Sequence, residues 1–143
     1  MAKIQIETGV KVYDLENENG EKLGQLRLAS NDFNFAARAK EFISRVNEMI
    51  EKSKNTENKT DDELILMITE YDKEIKEALN KLFNDDHASE AVFGAQNAFT
   101  THNGLTFIER FLTAVLPVIQ SDMAKEQKAS AERINKYTSQ VLK

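Results

Sequence analysis

The sequence TDDELILMITEYDKEIKEALNKLF, residues 60–83, has a long and regular helical pattern, from which the rest of the fold can be worked out. Its apolar side chains recur at alternating spacings of four and three residues, the period of one face of an α-helix. They are Leu64, Ile68, Tyr71, Ile75, Ala78 and Leu82. Thr60, followed three residues later by Glu63, forms a capping-box pattern that starts helices. We therefore predict an amphipathic helix from about Asp61 to Phe83.

The preceding segment provides a partner for this helix. A stripe of the same period consists of Phe35, Ala39, Phe42, Val46 and Met49. It predicts a helix from about Asp32 to Lys52, with candidate caps in Ser30-Asn31-Asp32. The polar connector SKNTENK, residues 53–59, separates the two stripes. Two helices of matching period joined by a short polar loop predict an antiparallel helical hairpin.

The first 28 residues have the pattern of β-structure. Polar residues alternate with Ile4 and Ile6, and again with Val10 and Val12. Gly9 either turns the chain between two short strands or forms a bulge in one long strand. We therefore expect two or three strands, which must pack against helices because so small a sheet is marginal alone.

The dipeptide Asn19-Gly20 is a strong β-hairpin signal because both residues tolerate positive φ. A turn there would place Val10–Leu15 against Leu23–Leu28. In that register Tyr13 lies opposite Leu26.

The C-terminal half begins where Asn84-Asp85-Asp86 interrupts the helical pattern. We predict a short helix containing Ser89 to Phe93 and ending at Gly94, then a polar loop from Thr100 to Gly104. The helical period returns at Leu105. Pro117 lacks a backbone N–H, so it should kink or end that helix near Leu116.

These elements predict one domain of class α+β, mainly α, over residues 1–143. Residues 1–30 form the β-hairpin and residues 31–120 a helical core, giving a bundle of about four helices. Residues 121–143 are good helix-forming sequence with few apolar positions, so they form a protruding C-terminal helix or a flexible tail.

Composition excludes several classes of protein. The chain has no cysteine, hence no disulfides or thiolate metal sites, and its formal net charge is -5. Residues 54–90 hold 5 Lys/Arg against 11 Asp/Glu, which argues against nucleic acid as a partner. The N-terminus has no apolar signal region, and no apolar run reaches the length of a membrane span. We expect a cytoplasmic protein without a membrane partner.

The sequence contains no recognisable catalytic or cofactor-binding motif. Neither a phosphate-binding glycine loop nor a G-x-S-x-G elbow occurs. His87, beside Asp85 and Asp86, could be imagined in a metal or general-base site, but His87 and His102 both lie in polar segments and are expected to be exposed. We therefore predict no catalytic residues, no metal, no cofactor and no enzymatic activity.

The segment from Leu79 to Gln120 carries five of the eight phenylalanines, which suggests a surface for another protein. The residues predicted to bind a partner are Phe93, Phe99, Phe107, Phe111, Leu112 and Leu116. Aromatic residues at helical spacing are more often core than interface. Both interpretations stay open, and the unpaired stripe of the last helix and tail makes a homo-oligomer possible.

Two stretches resemble the tail assembly chaperones of long-tailed bacteriophages and prophages of Gram-positive bacteria. The first is GVKVYDLENENGEKLGQLRLASNDFNFAARAKEF, residues 9–42. The second is LNKLFNDDHASEAVFGAQNAF, with its Phe93-Gly94, followed by GLTFIERFLTAVLPVI and INKYT. The order of elements also fits that family. Together these stretches cover most of the chain.

The resemblance implies a non-enzymatic role in phage tail assembly. Such chaperones bind the tape measure protein, a long helical chain, and keep it soluble until the major tail protein polymerises around it. The protein would then act in the host cytoplasm and be absent from the mature virion. The alternatives are a structural tail-completion or connector protein and, more distantly, a helical regulatory protein that binds DNA.

Overall fold

A computed structural model describes the backbone of residues 1–141 and the side chains of residues 1–133. In this part of the chain an N-terminal β-hairpin precedes four helices, and a second, minimal hairpin lies before the last helix. The elements are β1 (Lys11–Glu16), β2 (Lys22–Leu28), α1 (Phe33–Ser53), α2 (Asp61–Phe83), α3 (Ala88–Phe93), β3 (Thr101–His102), β4 (Leu105–Thr106) and α4 (Phe107–Val141). The predicted mainly helical α+β class is confirmed, and residues 142–143 of the predicted tail lie outside the described residues.

Side-chain caps set the starts of the first two helices where the sequence predicts them. The Asp32 carboxylate accepts a hydrogen bond from the backbone N–H of Asn34 at 2.9 Å. The Thr60 hydroxyl accepts one from the N–H of Glu63 at 3.2 Å. Each cap satisfies a backbone donor that the first turn of a helix leaves without a partner.

The helical stripes meet in the core. Met49 of α1 and Ile75 of α2 are both 0% exposed. The ring of Phe83 lies 5.8 Å from that of Phe35 and 6.3 Å from that of Phe111, measured between centroids. This aromatic row joins α1, α2 and α4. The burial of such large apolar side chains contributes strongly to the stability of the fold.

The N-terminal hairpin has the predicted register. Tyr13 of β1 pairs with Leu26 of β2, and the turn contains Gly20 at φ 77°. The buried β2 residues Leu26 and Leu28 face the helices. Between them and the turn, Gly24 approaches Ala91 of α3 so closely that a Cβ at Gly24 would lie 2.7 Å from the Ala91 Cβ.

The predicted strand at Ile4 and Ile6 is absent: residues 1–10, all of them described, form no strand. Gly9 has φ 75°, so the chain turns there and the hairpin sheet has two strands. Ile4 is 90% exposed and Ile6 is 77% exposed. Alternating residues favour a strand only where a sheet edge pairs with them, and this segment meets none in the single chain.

The predicted loop from Thr100 to Gly104 is instead the minimal hairpin of β3 and β4. Asn103 has φ 53° and Gly104 has φ 82°, so both central residues take the positive φ that a tight hairpin turn requires. A second Asn-Gly dipeptide in the sequence was therefore the missed signal.

The last helix begins two residues later than predicted. The Thr106 hydroxyl accepts a hydrogen bond from the N–H of Glu109, and the Glu109 carboxylate accepts one from the N–H of Thr106, each at 3.2 Å. This reciprocal pair is a complete capping box. It fixes the start of α4 at Phe107.

Pro117 does not end α4, which continues to Val141, and the alternative that it kinks the helix stays a prediction. Pro117 and Thr113 are both exposed, so water can reach the Thr113 carbonyl that Pro117 leaves without its helical donor. The cost of the proline is therefore smaller than it would be in the core. From Ala124 to Arg133 every side chain is exposed, as expected for a helix that protrudes from the core.

Candidate binding cleft between the hairpin and the last helix

The six residues predicted to bind a partner are divided between the core and its margin. Phe93, Phe99 and Phe111 are buried, with 3%, 8% and 8% exposed. The other three, Phe107, Leu112 and Leu116, lie half-buried on α4. A partner contact stays a prediction for all six: Phe107, Leu112 and Leu116 are partly exposed but do not line the cleft described below, whereas the buried Phe111 does.

An apolar cleft opens between the hairpin and α4. Its volume is about 230 Å³. The hairpin contributes its inward-facing side chains, and α4 contributes a face on which residues recur every three or four positions. The lining residues are Tyr13, Asp14, Leu15, Glu16, Leu26, Leu28, Phe111, Ala114, Val115, Val118 and Ile119.

The cleft has a buried floor and accessible walls. Leu26, Leu28, Phe111 and Ile119 are buried and belong to the core. Higher on the α4 wall, Val118 is 43% exposed. The core therefore continues into an apolar surface that the described part of the chain leaves uncovered.

A polar contact joins the hairpin to α4 beside the cleft. The Tyr13 hydroxyl donates a hydrogen bond to the Asp122 carboxylate, and the Lys11 ammonium lies 3.4 Å from the same carboxylate. Asp122 is only 8% exposed, so its charge needs these partners. We refer to these three residues as the latch.

The latch shifts two pKa values in opposite directions. Burial, reinforced by the hydrogen bond to Asp122, raises the pKa of Tyr13 to about 12. The hydrogen bond from Tyr13, together with the charge of Lys11, lowers the pKa of Asp122. At neutral pH the latch therefore holds a protonated phenol against an ionised carboxylate.

The rim of the cleft is acidic. Asp14 and Glu16 lie on the exposed side of β1. Asp14 accepts a hydrogen bond from Gln25 at 3.0 Å, and this bond and the charge of Lys22 lower its pKa. Among the described residues that line the cleft, none is lysine or arginine. Lys22 Nζ lies 3.5 Å from Asp14 and offsets part of its charge, so the remaining negative charge at the rim is centred on Glu16 and favours a cationic neighbour there.

Both histidines are exposed, as predicted. His87 lies just before α3 with Nδ1 at 3.5 Å from a Glu90 carboxylate oxygen, and His102 lies in β3 rather than in a loop. Among the described residues, no group of three or more His, Cys, Asp and Glu side chains is placed to hold a metal ion. Within the same part of the chain, no helix has the length and apolarity to cross a membrane.

Comparison with known proteins gives no match: no family model, no curated protein and no solved structure is similar to this chain. The features of this chain that bear on its function are therefore the geometry of the cleft and the sequence resemblance.

Sequence reasoning missed the cleft because its two walls are far apart in the chain. The Tyr13–Asp122 hydrogen bond spans 109 positions. The alternation of β1 and the helical period of α4 each predict an apolar face, but neither shows that the two faces diverge. The only local signal was the excess of apolar residues on α4, of which the core covers only part.

Proposed function

We propose that this protein is a tail assembly chaperone of a long-tailed bacteriophage, which binds the tape measure protein and keeps it soluble without enzymatic activity. The observation that carries the proposal is the uncovered apolar cleft between the hairpin and α4. A chaperone for a long helical client needs such a surface, because an amphipathic helix buries its apolar face in a groove of this kind. The resemblance of residues 9–42 and of the Phe93-Gly94 region supports the same role.

The size of the cleft favours side chains over a small-molecule ligand. Pockets for small molecules typically have volumes of roughly 300–1,000 Å³. At about 230 Å³ the cleft is smaller, and apolar residues form most of its lining. It fits a few apolar side chains projecting from one face of a client helix.

The acidic rim adds a preference for a client segment that carries positive charge. Asp14 and Glu16 would lie beside any helix that inserts apolar side chains between β1 and α4. A client segment with lysine or arginine flanking its apolar residues therefore matches the site. Such rim charges mainly increase the association rate and select the partner, and they contribute less to the affinity itself.

Release follows from modest affinity at each site. Several copies of the chaperone along one tape measure chain would hold it by avidity, and the polymerising major tail protein would displace them one by one. The protein then acts in the host cytoplasm and leaves before the virion is complete.

Co-expression with the tape measure protein of the same phage tests the proposal. We expect the client to be insoluble alone and to co-purify with the chaperone as a soluble complex. Val118→Asp should abolish co-purification because it places a charge in the cleft. Ile65→Asp is the matched control, since Ile65 is an exposed residue of α2 outside the cleft. If the wild-type protein never retains the client, the proposal is wrong.

Analysis of purified particles separates this role from that of a tail-completion or connector protein. We expect the chain in the lysate but not in the particles. A stoichiometric amount in washed particles would instead identify it as a structural component.

A further inference from the structure

The N-terminal arm, which we define as residues 1–10, has the strongest strand pattern in the chain. The β-branched residues of the arm, together with the first β-branched residue of β1, occupy alternate positions. They are Ile4, Ile6, Thr8, Val10 and Val12. Such residues are those most enriched in β-strands. All five are nevertheless exposed. The residue types of the arm therefore favour a strand, whereas in the single chain these side chains are exposed and unpaired. Such a mismatch is expected of a segment whose partner lies in another molecule.

An acceptor for a strand is present on the hairpin. The sheet of β1 and β2 has two strands, so β1 pairs on one side only. The arm of the same chain does not use that edge. At its junction with β1, Gly9 has φ 75° and the Val10 N–H donates to the Thr8 hydroxyl at 3.3 Å. This turn directs the arm away from its own sheet.

One antiparallel register matches the arm to β1. With Thr8 opposite Lys11, Ile6 lies opposite Tyr13 and Ile4 opposite Leu15. Residues directly opposite each other share a face of the sheet, so both isoleucines join the inward, apolar face. A shift of one residue would move both to the outward face. A shift of two would place one of them opposite Lys11 or Asn17, which are polar.

Charge supports antiparallel pairing of the arm with β1, although a shift of two residues would place Lys3 opposite Asp14 or Glu18, which are also acidic. Lys3 lies opposite Glu16 at the far end of the pairing, and opposite charges at facing positions stabilise a pair of strands.

Exchanging the two copies leaves the residue pairs of this register unchanged, as a two-fold axis requires. Ile6 and Tyr13 of one chain can both face inward because the turn at Gly9, with φ 75°, interrupts the alternation of side chains between the arm and β1. Each copy donates an arm and accepts one, as in an isologous interface.

We infer that the N-terminal arm of one copy adds as a strand to β1 of a second copy, in a reciprocal strand-exchanged dimer. The occupant of the β1 edge is therefore a second copy of this chain. The added strand places Ile4 and Ile6 beside Leu15 and Tyr13, where they extend the apolar wall of the cleft. Free edges of small sheets commonly pair in this way.

Disulfide trapping tests the register, because the chain has no cysteine of its own. Lys3→Cys in one copy and Glu16→Cys in a tagged second copy change exposed residues, so folding should be preserved. We expect a mixed-chain disulfide on oxidation. The control pairs Lys3→Cys with Arg27→Cys, an exposed residue of β2, and should not cross-link. Equal cross-linking in both mixtures, or none in either, overturns the inference.

A double variant, Lys3→Cys with Glu16→Cys in the same chain, distinguishes exchange from pairing within one chain. We expect the cross-linked product at dimer mass. A cross-linked monomer would show that the arm folds onto its own β1, and the exchange would be wrong.

Light scattering on the unmodified protein provides an independent measurement. We expect a dimer that becomes monomeric when residues 1–8 are deleted. Lys3→Glu should weaken dimerisation roughly two- to fivefold, and Lys3→Glu with Glu16→Lys should restore it. A monomer at every concentration overturns the inference but leaves the client-binding proposal unaffected, since the cleft exists in one chain.

Discussion

The contact between α1 and α2 is closely packed, whereas the contact between the hairpin and α4 leaves an open cleft. The first is filled: Met49 and Ile75 are 0% exposed, and the rings of Phe35 and Phe83 pack across it at an angle of 45°. The second is packed only at its floor, where Leu26 and Phe111 belong to the core, and it leaves an apolar cleft above that floor beside the latch. The filled contact stabilises the fold, and the open one offers apolar surface to another molecule. Substitutions in the two contacts should therefore separate stability from binding.

Ile75→Ala should have the largest effect on stability. Ile75 has no exposed surface, so the substitution removes apolar contacts and leaves a cavity. We expect the free energy of unfolding to fall by about 2–5 kcal/mol. Urea denaturation followed by circular dichroism measures this loss. A change below about 1 kcal/mol would show that the α1–α2 contact is not closely packed.

Gly24→Ala should have the next largest effect, because it forces the hairpin away from α3. The added Cβ would lie 2.7 Å from the Cβ of Ala91, which is too close for two carbon atoms. Overpacking of this kind typically costs about 1–3 kcal/mol. Thermal unfolding measures the loss.

The double variant Gly24→Ala with Ala91→Gly supplies the control for that clash. Removing the Ala91 methyl group should recover part of the lost stability, although glycine in a helix costs about 1 kcal/mol itself. Additive losses in the double-mutant cycle would contradict direct contact between these residues.

Tyr13→Phe should have a smaller, pH-dependent effect, because it removes the hydrogen bond of the latch. The lowered pKa of Asp122 means that its contribution to stability is present at neutral pH and is lost as the pH falls through the folded-state pKa. Because the pKa of Tyr13 is raised, the pH dependence of its contribution to stability has the opposite sign. Its contribution is complete below pH 10 and is lost between pH 10 and about 12.

Denaturation of wild type and Tyr13→Phe across pH checks this account of the latch. The difference in unfolding free energy should be largest at neutral pH and shrink at both extremes. In an Asp122→Asn background the difference should lose its change at acid pH, while part of its change at alkaline pH should remain, because burial alone still raises the pKa of Tyr13. A difference that is constant from acid to alkaline pH would mean that the latch is not formed.

Val118→Asp should have the smallest effect on stability. Val118 is 43% exposed, and exposed substitutions usually change stability by less than about 0.5 kcal/mol. Its melting temperature should match that of the control Ile65→Asp. A large loss for Val118→Asp alone would show that the cleft is closed in solution.

The features that could be predicted from the sequence are those set by residues close together in the chain. The bounds of α2, the N-terminal cap of α1 and the Tyr13–Leu26 register depend on residues near one another in sequence, and all three are confirmed. The Thr106–Glu109 capping box is equally local and was overlooked. The position of α4 against the hairpin depends on the three-dimensional packing, which no local pattern specifies.

Two further differences arise because context overrides local preference. Pro117 is tolerated within α4 because it lies on the exposed face. The arm has the residues of a strand without an edge to pair with in the single chain. In each case the surroundings of the residue, rather than its local preference, decide the structure.

The most direct test of the cleft as the client-binding site is cross-linking from single cysteines that carry a photoactivatable group. Val118→Cys and Ile65→Cys introduce the only thiol in their respective chains. In the complex with the tape measure protein, the group at position 118 should cross-link the client, and the group at position 65 should not. Equal yields from the two positions, or a product from position 65 alone, would contradict the account.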